Sequence, residues 1–320
     1  MFQRISSTFF HALSLTIGIL AVGISSASGF STELVEANPD AGFNYPYVLR
    51  VPESLNQGGD TVLLIESNNT GSNDDFQAHI DAAITFANGN GVGAFVAGQL
   101  DIPLLVPVFP RTKTDWQFYT HALDRDTMLV EEGPLRRLDT QLVKMIDDAR
   151  AKLASRNINT REKFLICGFS ASGTFSNRFA FLHPERILAV ASGAVNAFPM
   201  LPVSKHTNQL LNYPLGLNDF YVLTGGHFNA QAWQSVPQMI FMGSLDSNDA
   251  VEFSDAYSDA EREAIYSTVG RPMQLRWSNV QAIYLDSGAN VTFVTYGQVG
   301  HWTDGRINRD VANFLRSALR

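Results

Sequence analysis

From residue 61 to the C-terminus, short apolar runs of strand length alternate with longer stretches patterned for helices. The runs at 61–66, 102–109, 164–167, 187–191, 237–242 and 291–296 are rich in Val, Ile, Leu and Phe and are bounded by turn residues. A further run at 45–51 is set off from the first by the turn Gly58-Gly59-Asp60. Stretches 74–87, 134–154, 171–182 and 306–319 read as helices. The clearest is 134–154, where Leu135, Leu138, Leu142, Met145, Ile146, Ala149 and Leu153 form one stripe behind Pro134, a residue suited to a first helical turn. Pro107 counts against the centre of its run, because it cannot donate to a ladder. The alternation predicts an α/β fold with a mostly parallel sheet covered by helices on both faces.

The chain has 320 residues, 45% of them hydrophobic, enough for one large core. The net charge of −8 is spread along the chain and gives no basic surface for a nucleic acid. Residues 1–29 read as a signal peptide: Arg4 is their one charge, 9–24 are largely apolar, and Ser26-Ala27-Ser28-Gly29 offer a cleavage site. The apolar run is short for a membrane span and no later stretch qualifies, so residues 30–320 are expected to be a single domain, secreted or periplasmic. Cys167 is the one cysteine, so no intrachain disulfide forms, and its apolar neighbours predict a buried side chain.

In parallel α/β sheets ligands lie beyond the carboxyl ends of the strands. Ser170, Asp246 and His301 each follow the end of a predicted strand. Ser170 lies in Gly168-Phe-Ser170-Ala-Ser172-Gly173, between a strand and a helix, where a sharp turn holds a hydroxyl clear of the backbone. A serine nucleophile needs a base, a carboxylate to orient that base, and donors for the oxyanion. Asp246 is the candidate acid, with Asp249 three residues on as its rival. His301 is the candidate base, the one histidine that follows Asp246. Ser172 is the competing nucleophile. The oxyanion donors expected are the N–H of Ala171, at the helix start, and one from the loop 67–70, with Asn69 favoured although Asn-Asn-Thr-Gly is also an ordinary turn.

Two other stretches draw notice. Residues 198–234, rich in aromatic and turn residues, break the alternation and are expected to form an insertion over the active-site edge; a packed surface excursion is the plainer alternative. His121 with Asp124 and Asp126 suggests a metal site only weakly, since no cysteine or second histidine is near, and a buried network bracing the loop, or a wall of the substrate pocket, fits better. Asp74, Asp75 and His79 likewise read as a helix N-terminus.

Taken together, the segment 168–173, Gly243-Ser-Leu-Asp246 and Gly300-His301 resemble the α/β-hydrolase superfamily over roughly residues 45–320. More narrowly the chain is similar to secreted bacterial serine esterases related to polyhydroxybutyrate depolymerases and feruloyl-type esterases. The resemblance implies a carboxylic ester hydrolase working through an acyl-enzyme, with a small-molecule or polymeric ester as partner and no cofactor or metal. Ser172 departs from the usual second glycine of the elbow, and no His-Gly-Gly-Gly stretch is present, which disfavours the hormone-sensitive-lipase branch. An exported peptidase with the same triad, or a binding protein on a hydrolase scaffold, are the alternatives.

Overall fold

The computed structural model describes residues 29–320 apart from Gln57 and Asn196. The leader assigned to 1–29 lies, except for Gly29, outside the described residues.

Eight strands form the central sheet: β1 (Phe30–Val35), β2 (Tyr47–Pro52), β3 (Leu64–Ile65), β4 (Leu104–Pro107), β5 (Phe164–Phe169), β6 (Ile187–Gly193), β7 (Gln238–Gly243) and β8 (Val291–Tyr296). Their spatial order is β1-β2-β4-β3-β5-β6-β7-β8. β2 runs antiparallel to both neighbours, and every other pairing in the sheet is parallel. The register sets Gly168 opposite Ser192, Phe169 opposite Gly193, and Gly243 opposite Tyr296. The carboxyl ends of β5, β7 and β8 therefore face one rim.

Strand alternation splits the core into two layers. Phe164 and Ile166 of β5 join Val190, Ile240 and Met242 on one face. Leu165 and Cys167 join Ala189, Ala191, Met239 and Phe241 on the other, and Cys167 is fully buried as expected. The first face is covered by α3 (Leu138–Ser155), α4 (Ala171–Leu182), α5 (Asp259–Val269) and α6 (Met273–Asp286); the second by α1 (Phe76–Thr85), α2 (Val92–Leu100) and α7 (Gly305–Ser317). In α3 the stripe Leu138, Leu142, Met145, Ile146, Ala149 and Leu153 is buried. Each large aliphatic side chain so placed contributes about 1.5–3 kcal/mol.

Several boundaries differ from expectation. α3 begins at Leu138, not at Pro134, because Arg137 takes a left-handed φ of 50°. The carbonyls of Pro134 and Arg136 accept from the Gln141 side chain (2.7 and 2.8 Å) instead of from helical N–H groups. The run 61–66 divides: Gly59–Thr61 pairs with Ile158–Thr160 in a separate ladder, and Leu64–Ile65 enters the central sheet. β4 ends at Pro107, opposite Tyr47, where the missing N–H costs the ladder least.

The stretch 198–234 lies between β6 and β7. The Met200 N–H donates to Asn177 in mid-α4 (2.9 Å). Phe228 and Trp233 pack on Phe181, with ring centroids 5.6 and 4.8 Å away. Phe181 is near the C-terminal end of α4, about 15 Å along the axis from Ala171 at 1.5 Å per residue. The Tyr213 hydroxyl donates to the Leu123 carbonyl, and Arg125 pairs with Asp219 at 2.7 Å, tying the insertion to the loop after β4. These contacts pack part of the insertion on α4 and tie it to the loop after β4.

Candidate active site

β5 delivers the chain to a turn that only certain residues permit. Ser170 sits at φ 63°, ψ −126°, a conformation that is sparsely populated for any residue with a Cβ. The turn is held from three sides. The Ser170 N–H donates to the Gly193 carbonyl (2.9 Å), and the Ser170 carbonyl accepts from the Thr174 N–H (2.9 Å). The Ser172 hydroxyl lies 2.9 Å from both the N–H and the carbonyl of Phe169, strapping the elbow closed. Ser172 is thus buried and occupied, while the half-buried Ser170 hydroxyl donates to no described residue. Glycine is needed on both sides of the turn. A Cβ on Gly168 would stand 2.3 Å from the Ser172 carbonyl oxygen, and one on Gly173 would stand 2.1 Å from that of Gly193.

The loops carrying Asp246 and His301 rest on each other in the same manner. A Cβ on Gly243 would stand 2.1 Å from the Val299 carbonyl oxygen and 2.6 Å from that of Gly300. With no Cβ there, the Leu245 N–H reaches the Val299 carbonyl (2.8 Å) and the Gln298 N–H reaches the Ser244 hydroxyl (3.0 Å). His301 Nδ1 then lies 3.1 and 3.0 Å from Oδ1 and Oδ2 of Asp246. The Asp246 side chain is fully buried and that of His301 is 26% exposed, so the pair is sheltered on the acid's side and open on the base's side. An ionised carboxylate only accepts, so the arrangement fixes the neutral ring with its proton on Nδ1 and its lone pair on Nε2.

Asp249 is engaged elsewhere. It caps the turn at Ala250–Glu252 through the Val251 N–H (3.1 Å) and pairs with the fully buried Arg276 at 2.5 Å. Of the two candidate acids, Asp246 is the one the structure brings to His301. Phe169, the residue before Ser170, lies against His301 with ring centroids 5.0 Å apart, and no hydrogen bond joins the Ser170 and His301 side chains. Instead, the Asn248 amide nitrogen stands 2.9 Å from His301 Nε2. Sequence reasoning missed Asn248, which carries no motif; its position two residues beyond Asp246 is the one available signal.

The loop after β3 approaches the elbow directly. Asn69 Nδ2 donates to the Phe169 carbonyl (3.2 Å), so its side chain fastens the loop to the elbow. Its backbone N–H donates to no described residue, and neither does that of Ala171, the first residue of α4. The loop is fixed from beneath by buried polar groups. Asn68 exchanges two hydrogen bonds with the Phe109 backbone (2.8 and 3.2 Å). His121 Nε2 donates to the Phe109 carbonyl (2.9 Å), and Nδ1 accepts from the Thr70 N–H (3.4 Å). His79 meets the Thr70 hydroxyl (2.9 Å) and lies edge-on to His121, with centroids 5.9 Å apart. Both His121 nitrogens are therefore committed to the protein. Asp124 caps the short helix Arg125–Met128.

Burial pushes His121 down to about 3 from its ordinary 6.5, with Arg111 and His79 adding in the same sense. The unfolded chain therefore binds this proton first as the solution is acidified. The stability tied to the neutral ring is complete above pH 6.5 and is lost progressively as pH falls from 6.5 towards 3. His121→Gln should flatten this limb: urea midpoints of the variant between pH 6.5 and 3 should depend less on pH than those of the parent. An equally steep dependence would remove His121 from the acid response. Glu66 shifts in the opposite direction. Burial raises its carboxyl to about 8, although the N–H groups of Gly93 and Val92 at the start of α2 offset part of the effect.

No protein-family model matches the chain. No curated protein matches it either. Among solved structures it is similar to poly(aspartic acid) hydrolase-1 from Sphingomonas sp. KT-1, at 16% identity over 91% of this chain and 97% of that one, with a TM-score of 0.57. It is also similar to a poly(3-hydroxybutyrate) depolymerase from Bordetella parapertussis, at 15% identity over 91% of both chains, with a TM-score of 0.55. Identities this low speak to the fold. The strand order, the helices on both faces and these two likenesses agree that the chain has the α/β-hydrolase fold.

Proposed function

We propose that this chain is a serine hydrolase that cleaves a carboxylic ester. Residues 1–29 serve as an export signal, and 30–320 act as one domain, secreted or periplasmic. Among the described residues no helix is long and apolar enough to cross a membrane. The observation that carries the reading is His301 Nδ1 resting on both oxygens of a buried Asp246, with Phe169, the residue before the strained Ser170, packed against the imidazole.

In this reading the Ser170 hydroxyl attacks the acyl carbon as its proton passes to His301 Nε2. The Oγ–C bond forms, and the carbonyl electrons collect on oxygen. The N–H groups of Ala171 and Asn69 receive that oxyanion, each donor being worth about 3 kcal/mol of barrier. The intermediate collapses, the bond to the alcohol breaks, and the alkoxide takes the proton from Nε2. A water then gives a proton to Nε2 and adds to the acyl carbon. Collapse releases the acid, and the proton returns to Oγ. Asp246 keeps the ring in the tautomer each step needs. Neither step calls for a cofactor.

The esterase reading also agrees with the likeness to the poly(3-hydroxybutyrate) depolymerase. The likeness to the poly(aspartic acid) hydrolase supports a second reading, cleavage of an amide in an acidic polymer. The net charge of −8 opposes a polyanion's approach and favours the ester. A fluorophosphonate probe tests the proposal: covalent labelling of the folded protein at Ser170 is expected. Folded protein that stays unlabelled would leave a binding scaffold without turnover.

A further inference from the structure

The turn that supplies Asp246 also reaches round to the opposite nitrogen of the imidazole. The Asn248 backbone N–H donates to Asp246 Oδ1 (3.0 Å), closing a tight turn, and from there the Asn248 side chain comes within 2.9 Å of His301 Nε2. One three-residue segment thus grips both nitrogens of the ring: the carboxylate on Nδ1 and the amide on Nε2. The segment is itself braced, since Gln274 Nε2 donates to the Asp246 carbonyl (3.2 Å) and Asp249 is anchored on Arg276. Phe169 lies against the ring with centroids 5.0 Å apart, and Asp246 is the charged group in contact with it among the described residues.

With the proton on Nδ1, Nε2 is an acceptor, and the amide N–H of Asn248 is its donor. The lone pair so occupied is the one that must take the Ser170 proton, and the Ser170 hydroxyl has no partner among the described residues. We infer that Asn248 is a positioning residue that holds the base at rest: its amide competes with the Ser170 hydroxyl for Nε2 and yields when the serine is deprotonated. The inference rests on the serine-hydrolase reading of the same site. It gives the resting enzyme a base aligned by two contacts but shielded from its own nucleophile. Once Nε2 carries a proton the amide N–H has nothing to donate to, so the contact stabilises the ground state and not the charged state that follows.

Labelling by a phosphonofluoridate isolates this step. The Ser170 Oγ–P bond forms as the P–F bond breaks, fluoride leaves, and the hydroxyl proton moves to Nε2. Asn248→Ala is expected to label about fivefold faster than the parent at pH 7, the ratio that corresponds to one ordinary hydrogen bond of ~1 kcal/mol. Asn248→Asp is expected to label more slowly, because a carboxylate beside Nε2 favours a ring already protonated there. For a chromogenic ester both effects should fall on kcat with KM little moved. A side chain needed only for folding would slow both variants. Equal or slower labelling of Asn248→Ala, with a melting temperature near the parent's, overturns the inference; Asn248→Ser, too short to reach Nε2, repeats the test should the alanine variant fail to fold. Failure of the hydrolase reading shows separately, as a folded parent that does not label at all. In that case the imidazole ¹⁵Nε2 resonance of His301 decides: it should move when the amide donor of Asn248 is removed, and an unmoved resonance refutes the contact.

Discussion

Ser170→Ala is expected to lower ester turnover by about 10⁶-fold, the scale seen when a triad nucleophile is deleted, while leaving the fold intact. Both halves of this result follow from the elbow. The Ser170 hydroxyl holds no described residue, so removing it leaves no buried donor or acceptor without a partner. The turn is maintained by the Gly193 carbonyl, the Thr174 N–H and the Ser172 strap, none of which uses Oγ of Ser170. Alanine meets the same backbone strain at φ 63° as serine, so the variant inherits that strain without adding to it. A short p-nitrophenyl ester with a thermal melt reads both quantities. Turnover surviving at more than a few per cent in folded protein would dismiss Ser170 as the nucleophile.

Asp246→Asn should follow at about 10⁴-fold, because an amide in that place can hold the wrong tautomer of the base. The informative comparison is Asp249→Asn. Asp249 pairs with a fully buried Arg276, and breaking such a pair costs about 3–5 kcal/mol when the surviving charge stays buried. With its side chain 22% exposed, Asp249 should fall at or below the lower end of that range. The two substitutions are therefore expected to part company. Asp246→Asn should lose turnover with modest change in melting temperature, and Asp249→Asn should lose melting temperature with the larger share of turnover kept. If folded Asp249→Asn proves the poorer catalyst, the acid's role passes to it.

Much of this site was legible because its residues follow from strand ends. Ser170 stands after the apolar strand β5, and Asp246 and His301 after β7 and β8, whose carboxyl ends reach the same rim, so the strand pattern along the chain already pointed to these positions. What escaped the sequence lacked a one-dimensional signal. α2 is buried at Val92, Gly93, Ala94, Val96 and Ala97, leaving no polar face to give it a period. β1 begins at Phe30, a few residues after the apolar stretch 9–24, and its sequence blends with that stretch. α5 has a capping box, Ser258 with Glu261, that can be read from its spacing, whereas α6 has no side-chain cap to mark its start. The insertion was legible as an interruption, but its packing on α4 was not, because aromatic residues suit a pocket wall and an outer core equally. Asn248, and the partners that His121 takes in the buried network expected around it, depend on contacts between segments distant in sequence, and no local pattern encodes which segments meet.

The near-contact of Gly243 with the 299–300 backbone has an engineering consequence. Donor turn and acceptor loop form one transplantable unit, so a chimaera that exchanges 243–249 while keeping a foreign 297–302 would graft a carboxylate without its imidazole. Substrate range in this scaffold is better sought by recombining whole blocks around that seam than by swapping either partner alone.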